Sequence, residues 1–199
     1  MGKLIESTFV TLDGVISNPD KWGAPYWDDE HYRYAQDLLF AADALLLGRK
    51  SYQSFAATWP ERTAESQEGH DWKQDAAHDS YAERFNRIPK YVASRTLNDD
   101  TFGGWNATLI HGDPATEIVK IKDRHEGNIV KYGTGELDRV LLAHDLIDEF
   151  HFWVFPVIAG GGDRLLEGVD GVDITHLNLQ QVTRFTSGIA VMTYTPAHR

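Results

Sequence analysis

One pattern limits the fold of this chain more than any other: an apolar run that ends in glycine and resumes with helical spacing. It is clearest over Asn128 to Glu136, NIVKYGTGE, where Ile129 to Tyr132 reads as a strand and Leu137, Val140, Leu141 and Ile147 give the following helix its apolar side. The pattern recurs at Ala44 to Leu47, a short buried strand followed by Gly48-Arg49-Lys50-Ser51-Tyr52 and a helical stretch through Phe55. A strand that hands over to a helix returns by a crossover, which is right-handed in nearly every protein and lays the next strand parallel to the first. The chain is therefore expected to be an α/β protein of three layers, with a mostly parallel central sheet covered by helices on both faces.

The remaining segments fit this frame. Lys3 to Val15 reads as a first strand that ends near Leu12 at Leu-Asp-Gly, a turn signal. Asn18 to Pro25, NPDKWGAP, is loop by composition, with Trp22 and Tyr26 available to line a pocket. Ala35, Leu38, Leu39 and Ala42 then fall at i, i+3, i+4 and i+7 behind an N-cap at Asp28 or Asp29. Ala82 to Arg87 reads as a short helix, Tyr91 to Ala93 and Ala107 to Ile110 as strands, and Ala115 to Ile121 as a helix. Phe150 to Ile158, FHFWVFPVI, is apolar without alternation, the mark of a strand buried on both faces. Thr175 to Arg184 and Ile189 to Thr195, joined at Ser187-Gly188, predict a C-terminal antiparallel hairpin. Glu61 to Ser80 is polar, with six acids against two bases, and reads as an exposed insertion in a single domain over residues 1–199.

Composition narrows the function classes. The net charge of −11, from 19 basic and 30 acidic residues, argues against nucleic-acid and acidic-membrane partners while leaving room for a local basic pocket. Cysteine is absent, which excludes disulfides, thiolate metal sites and a cysteine nucleophile. No apolar run approaches the roughly 18 residues of a membrane span, and MGKLIESTFV lacks the pattern of a signal peptide. A soluble cytoplasmic protein is the expectation.

Ligands of open α/β sheets bind at the carboxyl ends of the strands, and three polar or glycine-rich junctions fall there. Gly133-Thr134-Gly135-Glu136 suits a diphosphate, because glycines let backbone approach an anion at a helix N-terminus and Thr134 adds a hydroxyl; it is also what an ordinary strand-to-helix turn looks like. Gly48-Arg49-Lys50-Ser51 places two cations where they oppose a helix dipole, a local cost that a phosphate monoester would offset. Ser94-Arg95-Thr96 repeats the basic and hydroxyl chemistry at a third strand end. A phosphate monoester of this kind is the 2′-phosphate that separates NADPH from NADH; the alternative at Gly48 is a solvated helix start. Gly160-Gly161-Gly162 is read as a flexible turn because Asp163 follows it, His70, Asp71, Asp75 and His78 are not read as a metal site, and no GxSxG elbow supports a hydrolase.

These residues, taken in order, resemble the dihydrofolate reductase-like superfamily, in particular the small bacterial proteins grouped with the reductase domain of the bifunctional riboflavin-biosynthesis deaminase/reductase. The matching pieces are Thr11 to Gly14, Leu47 to Tyr52, Pro89 to Leu97, Tyr132 to Leu137, Leu146 to Glu149, Pro156 to Gly162 and the Ser187-Gly188 hairpin. The resemblance implies NADPH as cofactor, with Gly48, Arg49, Lys50, Ser51, Ser94, Arg95 and Thr96 toward the adenosine phosphate and Gly133, Thr134, Gly135, Glu136 and Leu137 against the diphosphate. It also implies a homodimer, and a substrate near Asp13, Trp22, Tyr26 and the start of the Asp28 helix, with Asp28 or Asp29 relaying a proton. The chain departs from the riboflavin-pathway reductases just before the glycine turn, where they usually carry a glutamate and this sequence has Lys131-Tyr132. The implied activity is hydride transfer to a C=N or C=O of a small heterocyclic or sugar-linked substrate, of the 5-amino-6-(5-phosphoribosylamino)uracil reductase or dihydrofolate reductase kind. The alternative is a non-catalytic nucleotide-binding protein that keeps the fold.

Overall fold

In a computed structural model of the chain, residues 1–62, 80–98 and 102–197 are described. The polar stretch 61–80 and the residues weighed as a metal site lie almost wholly or entirely outside them. Strand β1 is Leu4–Thr11, β2 Ala42–Gly48, β3 Lys90–Ala93, β4 Ala107–Ile110, β5 Asn128–Tyr132, β6 Glu149–Phe155, β7 Leu177–Arg184 and β8 Ala190–Pro196. The helices are α1 Pro19–Gly23, α2 Asp29–Phe40, α3 Arg49–Ala56, α4 Tyr81–Arg87, α5 Pro114–Arg124 and α6 Glu136–Ala143.

The strands form one eight-stranded sheet in the order β4-β3-β2-β5-β1-β6-β8-β7. Its first six members are parallel, and the β7–β8 hairpin is joined to β6 by antiparallel pairing. This is the expected three-layer α/β architecture. Helices α5 and α6 cover one face through a core containing Leu4, Leu46, Ile118, Ile129, Leu141 and Phe150. Helices α2, α3 and α4 cover the other through Leu38, Leu39, Leu45, Tyr52, Phe85 and Val130. An aromatic cluster of Trp153, Phe155 and Phe185, packed by Trp22, Tyr26, Trp27 and Tyr34, extends the second face toward the hairpin.

Several boundaries differ from the sequence reading, each for a local reason. Where a loop was expected over 18–25, α1 and a single 3-10 turn occupy residues 19–26: Asn18 adopts a left-handed conformation, Pro19 supplies a helical φ at the first position, and Trp22 and Tyr26 gain packing on Phe155. Strand β6 stops at Phe155, because Pro156 has no N–H to donate and Ile158 is 77% exposed. Helix α6 ends at Ala143, so Ile147 enters the core from the turn that follows. Among the described residues no helix is long and apolar enough to cross a membrane.

Candidate functional site

Strand β5 lies between β2 and β1, and the helices that follow these three strands leave on opposite faces: α3 and α2 on one, α6 on the other. Diverging connections open a crevice at the carboxyl ends, and the turn 133–135 stands in it. Gly133 has φ +76°, a left-handed conformation that favours glycine, and a Cβ there would sit 3.6 Å from Ser51 Oγ. Ser51 Oγ donates to the Tyr132 carbonyl at 3.0 Å, fastening the start of α3 to the end of β5. The first two predicted junctions are thus brought into contact.

Two of the N–H groups of the glycine turn are engaged internally. Gly133 N–H donates to the Ser7 carbonyl at 3.1 Å, and Gly135 N–H donates to Asp138 Oδ2 at 2.7 Å. An anion would therefore be met by the first-turn N–H groups of α6, at Glu136 and Leu137, which have no intrahelical acceptor by position. Thr134 Oγ1 accepts from Leu166 N–H at 3.1 Å, which leaves its hydroxyl proton available. A Cβ built on Gly135 or Gly48 meets nothing, so both glycines face open space.

The cations stand around this opening. Arg95, after β3, pairs with Glu136 at 2.5 Å, and Lys50, at the start of α3, pairs with Asp163 at 3.2 Å. Both pairs are largely in water, where ion pairs are weak and easily exchanged for another anion. Arg49 is exposed and makes a long contact of 3.4 Å with Gln53 one turn along α3. Ser94 Oγ accepts from the N–H groups of Thr96 and Leu97, at 3.1 and 3.0 Å, so its role is to shape the turn that presents Arg95.

The residues expected near substrate lie at the ends of β1 and β6. The Asp13 carboxylate accepts from Thr11 Oγ1 at 2.6 Å and from the N–H groups of Ala159 and Gly160 at 3.0 and 2.8 Å. Those bonds, Thr11 foremost, hold it down to about 2. Together with the Ser17 hydroxyl, which accepts from Asp163 N–H, Asp13 fastens the loop after β6 to the loop after β1. A Cβ on Gly162, at φ +135°, would fall 2.3 Å from Ser17 Oγ, so the Gly160-Gly161-Gly162 turn is stitched down. A cavity of about 360 Å³ lies between these loops and α1, lined by Ser17, Asn18, Lys21, Trp22, Val157 and Gly161.

Asp28 is the N-cap of α2, accepting from His31 N–H at 2.9 Å, while Asp29 is the exposed first helical residue. Burial raises the Asp28 carboxyl, but the His31 N–H and the other donors around it prevail and leave it below its ordinary range. His31 is ringed by Phe9, Trp27, Tyr32, Trp153 and Phe155, and burial drives it down to about 4, against the pull of Asp28. Its Nδ1 and Trp27 Nε1 are buried without hydrogen-bond partners. His31 was not among the expected site residues, and nothing in its spacing separates it from a packing residue. Glu6, Lys131 and Asp138, buried behind the glycine turn, were also missed as a group, although Glu6 breaks an apolar strand face and thus left a signal.

The sequence matches the family described as the RibD C-terminal domain over residues 2–191. The chain belongs to this family. The uncharacterized protein YyaP of Bacillus subtilis (strain 168) is 28% identical over 194 residues, covering 96% of this chain and 94% of YyaP. Among solved structures, a putative riboflavin biosynthesis protein from Shewanella sp. PV-4 superposes with a TM-score of 0.70 at 20% identity, covering 98% of this chain and 99% of that one. Dihydrofolate reductase from Enterococcus faecalis, complexed with NADP(H), superposes with a TM-score of 0.60 at 15% identity, covering 99% and 98%. At these identities the structural likeness establishes the dihydrofolate reductase-like fold.

Proposed function

We propose that this RibD C-terminal domain protein is an NADPH-dependent reductase acting on a C=N or C=O of a small heterocyclic or sugar-linked substrate. The observation that carries the reading is the convergence of three cationic or glycine-rich strand ends on one crevice, around a turn whose second glycine, Gly135, faces open space. Family membership and the likeness to an NADP(H)-complexed reductase support it.

The first-turn N–H groups of α6 and the Thr134 hydroxyl would hold the diphosphate. Arg49, Lys50 and Arg95, with Ser51, Ser94 and Thr96 shaping their turns, would take the adenosine phosphate, Lys50 and Arg95 exchanging Asp163 and Glu136 for it. The bound cofactor would supply hydride from its nicotinamide C4. Asp28, ionised at neutral pH by its hydrogen bonds, suits accepting an N–H of the substrate better than storing a proton; Asp29 has the exposure to exchange protons with water. Trp22 and the stitched loop held by Asp13 would form the substrate wall, with Tyr26 supporting Trp22 through their shared contact with Phe155.

A homodimer belongs to the same proposal. Strand β7 is a sheet edge, and Leu177, Leu179 and Val182 on it are among the most exposed large apolar residues described. A non-catalytic nucleotide-binding protein is the second reading, favoured by the structural engagement of both Asp13 and Asp28. NADPH oxidation with dihydrofolate, the riboflavin-pathway ribosylaminopyrimidine and a panel of carbonyl compounds separates the two. Turnover of any of them supports the reductase, and cofactor binding without turnover supports the second reading.

A further inference from the structure

The glycine turn stands on a buried ionic cluster. Leu4, Glu6, Thr8 and Val10 alternate along β1 toward the α5–α6 face, so two polar residues interrupt an apolar row. Glu6 and Lys131 are register partners on adjacent strands, and with Asp138 of α6 they are sealed from water, their side chains 0%, 2% and 0% exposed. Lys131 Nζ donates to Glu6 Oε2 at 2.7 Å, Asp138 Oδ2 at 3.0 Å and the Gly133 carbonyl at 2.5 Å. Asp138 Oδ2 also accepts from Gly135 N–H, and Thr8 Oγ1 donates to Glu6 Oε1 at 2.6 Å. The cluster therefore grips the turn at both ends, through the carbonyl of its first glycine and the N–H of its second.

Two carboxylates share one ammonium. Either one carboxylate holds a proton or the cluster carries a net negative charge directly behind the turn. We propose that the protonation of Glu6 sets the anion affinity of the turn: with Glu6 neutral, Lys131 and Asp138 balance, and with Glu6 ionised an uncompensated buried charge opposes a diphosphate. This rests on the reading of the turn as the diphosphate site. The charged and titratable groups that face Glu6 are Lys131 from β5 and Asp138 from α6, beside the Thr8 hydroxyl on β1, while its register partner on β6 is the apolar Phe150. Burial, opposed by Lys131 and reinforced by Asp138, raises the Glu6 carboxyl to about 8, which puts the switch just above neutrality. A bound anion would raise it further, so binding takes up a proton, and affinity falls with pH by at most about tenfold per unit.

Two measurements on the full chain test this. In the free protein, the amide resonances of Gly133, Thr134 and Gly135 should titrate together between pH 6 and 9 with a midpoint near 8. Glu6→Gln should abolish that titration. Thr8→Val removes a bond that favours the ionised form and should move the midpoint upward. The dissociation constant of NADPH should weaken about threefold to tenfold between pH 7 and 9 in the wild type and stay within twofold in Glu6→Gln. Amides that do not titrate in the wild type overturn the proposal whatever binds. So does NADPH affinity that changes equally with pH in wild type and Glu6→Gln. Titrating amides with no dinucleotide binding at any pH overturn instead the cofactor reading of the turn, and with it the ligand half of the proposal.

Discussion

Lys131→Met is the substitution for which the structure allows the most detailed expectation. The ammonium has three acceptors, two of them buried carboxylates and the third the half-buried Gly133 carbonyl, and Met fills much of the same volume without charge or donor. Three groups then lose a partner: Glu6, Asp138 and the Gly133 carbonyl. Glu6 can escape by staying protonated, since burial already holds it near 8. Asp138 keeps only the Gly135 N–H on Oδ2, and its Oδ1 is already buried without a partner. Leaving one member of a buried ion pair uncompensated costs about 3–5 kcal/mol. For a domain of this size, about 2–4 °C of melting temperature follows each kcal/mol, so the melt should fall by about 6–20 °C. Adding Asp138→Asn removes the stranded charge, and in the Lys131→Met background it should restore part of the loss, although alone it destabilises; the coupling should reach about 0.5–3 kcal/mol. Thermal melts followed by circular dichroism give all four corners of the cycle. A Lys131→Met melt within 2 °C of wild type, or additive single and double effects, would refute the brace.

Other perturbations follow from the same geometry. His31 is held down to about 4 against an ordinary 6.5, so the unfolded chain binds a proton first as pH falls, and stability present above about 6.5 is lost toward 4, by up to about 3 kcal/mol. Urea denaturation should show that loss in wild type and not in His31→Phe; parallel acid limbs would remove His31 as the cause. Gly162→Ala combines a φ of +135° with contacts of 2.3 and 2.8 Å to Ser17 and Val15 and should cost about 1–3 kcal/mol, whereas Gly161→Ala, whose Cβ meets nothing, should stay within about 0.5 kcal/mol. Equal melts for the two would mean that the loop is not stitched as described. Leu179→Glu on β7 should convert a dimer to a monomer in sedimentation velocity without lowering the melt of the isolated protomer, and an unchanged sedimentation coefficient would place the interface elsewhere.

Most of the architecture was legible in the chain because parallel α/β units write it locally. Ala107 to Ile110 and the β7–β8 hairpin were recovered almost to the residue, since alternation and glycine mark their ends. Residues 18–25 were read as a loop because the helical turns there depend on Trp22 and Tyr26 meeting Phe155, more than a hundred residues away. The continuous apolar run after Glu149 hid its own end, where the missing N–H of Pro156 decides the boundary. Which candidate residues adjoin one another was less legible. Ser51 reaching Tyr132 and Lys131 reaching Glu6 across adjacent strands, and Arg95 reaching Glu136 past the intervening β2, are contacts that only the order β3-β2-β5-β1 creates. Lys131 stood in the sequence as a departure just before the glycine turn; folded, it is the residue that holds that turn's first carbonyl.

The claim on which the functional reading depends is that the crevice reads a phosphate on a nicotinamide dinucleotide. Titrating NADPH and NADH separately into the unliganded protein, with Arg49→Ala and Arg95→Ala in parallel, tests it most directly. NADPH should be preferred by about tenfold or more, and at least one arginine variant should lose about ten- to a hundredfold for NADPH with NADH affinity little changed, as for a hydrogen bond to a charged group. Equal affinity for the two dinucleotides, or binding of neither, would contradict it.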